Sequence, residues 1–285
     1  MSTILNRDEN VLKVFNNNIV LVNSGNTEKI LFAKGIGFGK KPDCIISKGT
    51  SIDKIFVIEN QENISNLENL INQVDSGFFA ACEEAIYEIS KMVNTELNER
   101  IHIGLIDHLF LAVKRIKDNE EVENPFLIET QTLYSKEYKL AELVARMIGI
   151  YSNVDIPDGE IGFIALHIHS ALNDGKISNT IKNANLLNYI VEHVEKCLGY
   201  SIPKHSLDYA RFCTHIKFAI QRILGNSIVD NDLTNIVKDT YAESYFISEG
   251  IAKIIKENMG VNVADGEIAC LAIHVERFRI NQKKQ

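Results

Sequence analysis

No apolar run approaches the roughly 18 residues that a membrane-spanning helix requires. Met1-Ser2-Thr3-Ile4-Leu5-Asn6-Arg7 also lacks the pattern of a secretory signal, so a cytoplasmic protein is expected. The five cysteines, Cys44, Cys82, Cys197, Cys213 and Cys270, are odd in number and scattered, with no Cys-x-x-Cys pair. This distribution excludes a disulfide framework or a cysteine zinc site and leaves reduced core thiols. A Walker phosphate loop is absent, and the glycine-rich stretch near residue 35 has neither the crossover helix nor the acidic partner that dinucleotide binding requires. What remains is an ordinary globular composition, 45% hydrophobic and 24% charged, in 285 residues, enough for two or three domains. The net charge of −8 is uneven: residues 1–60 hold eight Lys/Arg against six Asp/Glu, so the excess acid lies downstream. A polyanion would therefore meet the N-terminal piece.

The chain contains an internal duplication. His108 and His167 lie 59 residues apart, as do His215 and His274, and one shift of 107 residues superimposes the pairs. The segment Asp158-Gly159-Glu160-Ile161 through His167 matches Asp265-Gly266-Glu267-Ile268 through His274 without a gap, and Ala112, Arg115 and Ile116 match Ala219, Arg222 and Ile223. Fixed-offset similarity implies two copies of one module. Apolar spacing over 67–171 and 186–279 is helical, as in Leu140-x-x-Leu143-Val144-x-x-Met147-Ile148, so each module is an all-α bundle. Asp158 and Asp265 are the expected N-caps of the helices bearing His167 and His274. The expected domains are 67–173 and 174–281, joined at Ala171–Lys176, with a polar linker over 60–66.

Residues 11–59 read differently. Val11–Phe15, Ile19–Asn23, Lys29–Ala33 and Asp53–Ile58 are candidate strands, with turns at Asn16–Asn18 and Ser24–Asn26, giving a small antiparallel sheet. Met1–Asn10 reads as a disordered extension before it. About 50 residues make a marginal core, so the sheet is expected to dimerise through one face. The stretch Ala33-Lys34-Gly35-Ile36-Gly37-Phe38-Gly39-Lys40-Lys41 combines backbone access, positive charge and an aromatic ring suited to stacking on an exposed base. It reads equally as a glycine loop whose lysines keep the surface solvated.

Three chemistries suit paired histidines. Metal binding needs at least one more ligand, and the duplicated carboxylate Glu160/Glu267 lies seven positions, about 10 Å, before its histidine on one helix. Acid–base catalysis lacks a shared nucleophile or neighbouring orienting Asp. Phosphoryl acceptance needs only a neutral imidazole nitrogen, and the added charge then reorganises an interface. Arg115 and Arg222, seven positions after His108 and His215, suit pairing with such a phosphate and equally suit ordinary surface salt bridges. His102, His169, His193 and His205 have no counterpart at the 107-residue shift and read as packing or surface residues.

Lys13-Val14-Phe15-Asn16-Asn17-Asn18, then Lys34-Gly35-Ile36-Gly37-Phe38, then the two histidine modules, resembles the BglG/LicT family of transcriptional antiterminators from about Val11 to Arg279. The resemblance implies a dimeric co-antiterminator RNA-binding domain followed by two phosphotransferase-system (PTS) regulation domains. It implies RNA contacts by Lys13, Asn18, Lys34 and Phe38, with Gly35 permitting the approach; Ala33 stands where glycine would be expected. It further implies phosphorylation of His108, His167, His215 and His274 by the phosphocarrier HPr and a sugar-specific PTS permease (EII). Phosphorylation of the first module would inactivate and of the second activate, under control of a β-glucoside or sucrose-like sugar. The partners are then an RNA hairpin, those donors and a second copy of the chain, with no metal, no cofactor and no enzymatic turnover. The rivals are a metal-dependent enzyme or sensor and a DNA-binding activator, the latter disfavoured because no helix-turn-helix precedes the modules.

Overall fold

The computed structural model describes residues 3–25, 27–93, 95–120, 123–173, 177–224 and 231–282. Met1 and Ser2, Asn26 of the second expected turn, and Asp174–Lys176 of the expected joint lie outside the described residues. The chain divides into two compact units: residues 1–124 with 136–177, and residues 125–135 with 178–285.

The first unit begins with a five-stranded antiparallel sheet of order β5-β2-β3-β4-β7, formed by β2 (Glu9–Asn16), β3 (Ile19–Asn23), β4 (Glu28–Phe32), β5 (Ile45–Ile46) and β7 (Lys54–Ile58). The strands β1 (Thr3–Ile4) and β6 (Ser51–Ile52) form a separate two-stranded pair. Residues 3–10 are therefore structured, contrary to the expected extension: Leu5 is buried in the sheet's core, and Glu9 accepts Lys29 Nζ at 2.7 Å and Ser24 Oγ at 3.0 Å. Ile19–Val22 are buried without alternation, as happens where both faces of a sheet are covered. Val11, Val20, Val22 and Leu31 close on Ile36, Ile46 and Ile52.

The opposite face packs on helices of the same unit, α2 (Ser76–Met92) and α3 (Ile101–Lys117). Phe15 stacks on Phe79 with centroids 4.3 Å apart, Phe32 on Tyr87 at 5.1 Å, and Phe56 meets His102 edge-on at 4.4 Å. One face of the sheet is thus covered within the chain, which adds to the sheet's own marginal core. His102 is fully buried, its Nδ1 2.9 Å from both oxygens of Glu83.

The expected polar linker is also structured. Asn60 caps α1 (Gln61–Gln73), its Oδ1 accepting Glu62 N at 2.9 Å and Asn63 N at 3.3 Å. Leu67, Leu70 and Ile71 form its buried stripe, continued by Val74 just after the helix. The unit is completed by α5 (Ser135–Ser152) and α6 (Asp158–Leu172).

The second unit contains α4 (Leu127–Leu133), α7 (Ile177–Leu198), α8 (Leu207–Leu224), α9 (Thr234–Thr240), α10 (Ala242–Met259) and α11 (Asp265–Gln282). Its core joins Ile190, Phe212, Ile216, Ile251, Leu271 and Phe278. The helix α4 packs on α8, where buried Glu129 accepts the Tyr209 hydroxyl and lies 3.3 Å from Lys204 Nζ. Asp158 and Asp265 are the first helical residues of α6 and α11 rather than their caps, and Pro157 precedes α6 without a side-chain cap bond. Their carboxylates still oppose the positive helix N-terminus.

Candidate functional site

In the sheet, the turn between β2 and β3 and the loop after β4 hold each other. Asn16 Oδ1 accepts Asn18 N at 2.8 Å, the local bond for which Asn is favoured in turns. Asn18 Oδ1 in turn accepts Gly35 N at 3.0 Å, and Gly37 N donates to Asn17 O at 3.0 Å. Gly35 has φ +74°, and a Cβ on Gly37 would lie 2.2 Å from Asn16 O, so both glycines are required for shape. The result fixes Asn18, Lys34, Gly35 and Phe38 at an exposed tip, with Phe38 76% exposed. Lys13 is not among them. Its Nζ donates to Ile71 O on α1 at 3.1 Å, and burial lowers its pKa. Asn16 likewise turns to the helices, donating to Glu84 Oε1 at 2.9 Å. A cavity of about 330 Å³ beside the tip is lined by Asn18, Phe32, Lys34, Glu84 and Glu88.

Each histidine pair is brought together across two helices. His108 on α3 and His167 on α6 have ring centroids 5.2 Å apart; His215 on α8 and His274 on α11 are 4.0 Å apart. Burial, then the neighbouring His108, pushes His167 down to about 3, and burial, then His215, pushes His274 down to about 4. Both rings are therefore neutral near pH 7 and retain a nucleophilic nitrogen. His274 Nδ1 is buried without a hydrogen-bond partner, while His215 is exposed.

The arginines are committed to carboxylates. Arg115 Nη2 donates to Glu160 Oε1 at 2.8 Å, and Arg222 grips both oxygens of Glu267, Nε at 2.5 Å and Nη2 at 2.8 Å. Both glutamates are buried, and the Glu267 carboxylate raises the Arg222 pKa. Glu160 Oε2 also stands 3.1 Å from His108 Nε2, without hydrogen-bond alignment. Burial opposes its ionisation, but His108 and Arg115 outweigh that and hold its carboxyl below the ordinary value. Sequence reasoning set these glutamates aside by measuring along one helix. The legible signal was opposite offsets: Arg115 follows His108 by seven and Glu160 precedes His167 by seven, which antiparallel helices bring together. Arg211, Arg277 and Asp208, whose charges act on His274, were not singled out by sequence reasoning either. Among the described residues no group of three or more His, Cys, Asp or Glu is arranged to hold a metal, and no helix is long and apolar enough to cross a membrane.

Residues 83–171 and 188–278 each match the PRD domain, and residues 10–65 match the CAT RNA binding domain. The chain belongs to the BglG/LicT family of antiterminators. It is 33% identical over 275 residues to Protein GlcT of Staphylococcus saprophyticus, covering 96% of this chain and 98% of that protein. It is also 33% identical over 281 residues to the GlcA/glcB genes antiterminator of Staphylococcus carnosus, with 95% and 96% covered. Among solved structures, the crystal structure of GlcT CAT-PRDI is 43% identical with a TM-score of 0.50, covering 58% of this chain and 98% of that one. Family membership thus rests on the whole chain, sheet and both modules together.

Proposed function

We propose that this chain is a cytoplasmic transcriptional antiterminator. It binds a leader RNA hairpin as a homodimer and is switched by PTS-dependent phosphorylation of its histidines. The observation that carries this reading is the repeated close histidine pair in a chain whose N-terminal sheet presents a built, exposed lysine–aromatic tip. Binding one of two competing RNA folds favours it by the difference in affinity, so a hairpin held by the sheet suppresses the overlapping terminator.

Lys34 and Phe38 are the RNA contacts on the tip, Gly35 admits the backbone, and Asn18 both orders the loop and borders it. Contact by Lys13 requires its Nζ to leave Ile71 O, which couples RNA binding to the position of α1. With one sheet face covered by α2 and α3, the dimer forms through other surfaces. His108, His167, His215 and His274 are the phosphorylation sites, with HPr and a sugar-specific PTS permease as donors, and the chain turns over no substrate of its own. Arg115 and Arg222 reach a phosphate only by releasing Glu160 and Glu267. Likeness to the GlcT proteins and to the GlcA/glcB genes antiterminator favours a leader of the glc type over the β-glucoside or sucrose class.

A readthrough reporter carrying such a leader tests the reading. The double variant His215→Asp/His274→Asp is expected to change both dimerisation and readthrough; unchanged values for both would remove the second module as the switch.

A further inference from the structure

Two arginines in the second module stand apart from the Arg222–Glu267 pair. Arg211 lies four residues before His215 on α8, and Arg277 three residues after His274 on α11. Each is therefore one helical turn from a histidine and on the same helix face. Their guanidinium groups converge on one carboxylate: Asp208 Oδ1 accepts Arg211 Nη1 at 3.5 Å and Arg277 Nη1 at 3.3 Å, while Asp208 Oδ2 accepts Asn281 Nδ2 at 2.8 Å. Both arginine side chains stay accessible, 54% and 48% exposed. Two cations sharing one anion leave net positive charge beside the rings, and each guanidinium keeps donors to spare. The first module has Gly104, Ser170 and Ile101 at the positions of Arg211, Arg277 and Asp208, so this cluster is not part of the duplicated frame.

Resting on the phosphorylation reading above, we propose that Arg211 and Arg277, rather than Arg222, form the site that holds a phosphoryl group on the His215–His274 pair. The lone pair of a neutral ring nitrogen forms the new N–P bond as the donor's own N–P bond breaks. The donor imidazole leaves with a proton that balances the one given up by the acceptor ring. The arriving group carries roughly −1.5 to −2 charge and strong acceptor oxygens. Arg211 and Arg277 pass to those oxygens from Asp208, which keeps them oriented in the unmodified protein. Arg222 stays on Glu267, whose burial makes its release costly. The first module has no cation at the equivalent positions, Gly104 and Ser170, and the Glu160 carboxylate stands at His108 Nε2. Modules alike in frame thus differ in how they retain phosphate.

The test treats the full-length protein with phosphorylated HPr or with phosphoramidate, a small donor whose P–N bond breaks with ammonia as the leaving group. Acid-labile phosphate is then mapped on each histidine. Arg211→Gln/Arg277→Gln is expected to lower label on His215 and His274 about tenfold with both donors, the scale of a lost charge-assisted hydrogen bond. Label on His108 and His167 and the thermal unfolding profile are expected to stay unchanged, and Arg211→Lys/Arg277→Lys to retain most of the label. Undiminished label in the glutamine variant overturns the proposal, as does an equal loss on all four histidines. A loss confined to HPr also overturns it, by making the arginines a docking contact for the donor protein. No label on any histidine of the unaltered protein with either donor removes the phosphorylation reading itself, and this proposal with it.

Discussion

Removing one partner of the Arg222–Glu267 pair leaves a charge in a place built for two. Glu267 is 2% exposed at the side chain and Arg222 35%, with contacts of 2.5 and 2.8 Å. Breaking a fully buried pair costs about 3–5 kcal/mol, but water resolvates a guanidinium that is one-third exposed, so Glu267→Ala should cost about 2 kcal/mol. Arg222→Ala strands the carboxylate instead and should cost about 3 kcal/mol, because that group has less access to water. The double variant should cost little more than either single one, giving a coupling energy of about 2 kcal/mol. A chain of two units has no single well-defined unfolding free energy, so native-state hydrogen exchange of the α11 amides is the appropriate assay. Additive single effects, with coupling below about 0.5 kcal/mol, would refute the view of the pair as a closed internal unit that does not supply a free arginine.

Other perturbations separate the parts of the account. Lys34→Ala/Phe38→Ala should weaken hairpin binding by about 2–4 kcal/mol, one stacked base and one charge contact, measured by filter binding at fixed salt; full affinity would remove the tip as the RNA site. Gly37→Ala drives a Cβ towards Asn16 O and should destabilise the tip by more than about 1 kcal/mol, seen as faster exchange at Asn18 and Gly35; unchanged exchange contradicts that shape argument. His167 titrates near 6.5 in the unfolded chain and about 3 in the folded one, so unfolding takes up a proton between these values. Stability of the first unit should therefore fall as pH drops from about 6.5 towards 3, and His167→Gln should flatten that slope; an identical slope in the variant would assign it elsewhere. Asn60→Ala should loosen the first turn of α1 by about 1 kcal/mol, read by exchange of Glu62 and Asn63.

Much of the architecture was legible because duplication and alternation are long-range patterns. The 107-residue shift identified both modules and the four histidines, and the strands β2, β3, β4 and β7 fell within a residue or two of their expected bounds. The two-residue strands β1, β5 and β6 carry too little periodicity to be read, and their pairing depends on contacts distant in sequence. The stretch over 60–66 looked like a linker because its first turns are polar, although Asn60 is a capping residue and Leu67 continues a helical stripe. At the candidate sites, the sequence pointed to Lys34 and Phe38, which share an exposed tip, and to the histidines, which lie in pairs, but the partners these residues hold were not readable. Lys13 resembles a free basic residue until α1 is seen to take its proton donor, and Asp208 gains meaning only when α8 and α11 bring Arg211 and Arg277 together.

The most direct test measures hairpin affinity on one purified sample before and after phosphorylation by HPr, with acid-labile phosphate mapped by mass spectrometry. The account predicts label on His215 or His274 together with a change in dimerisation and in affinity for a glc-type leader hairpin. A protein that binds the hairpin equally well with those histidines fully labelled would contradict the claim that the histidine modules control the RNA-binding sheet.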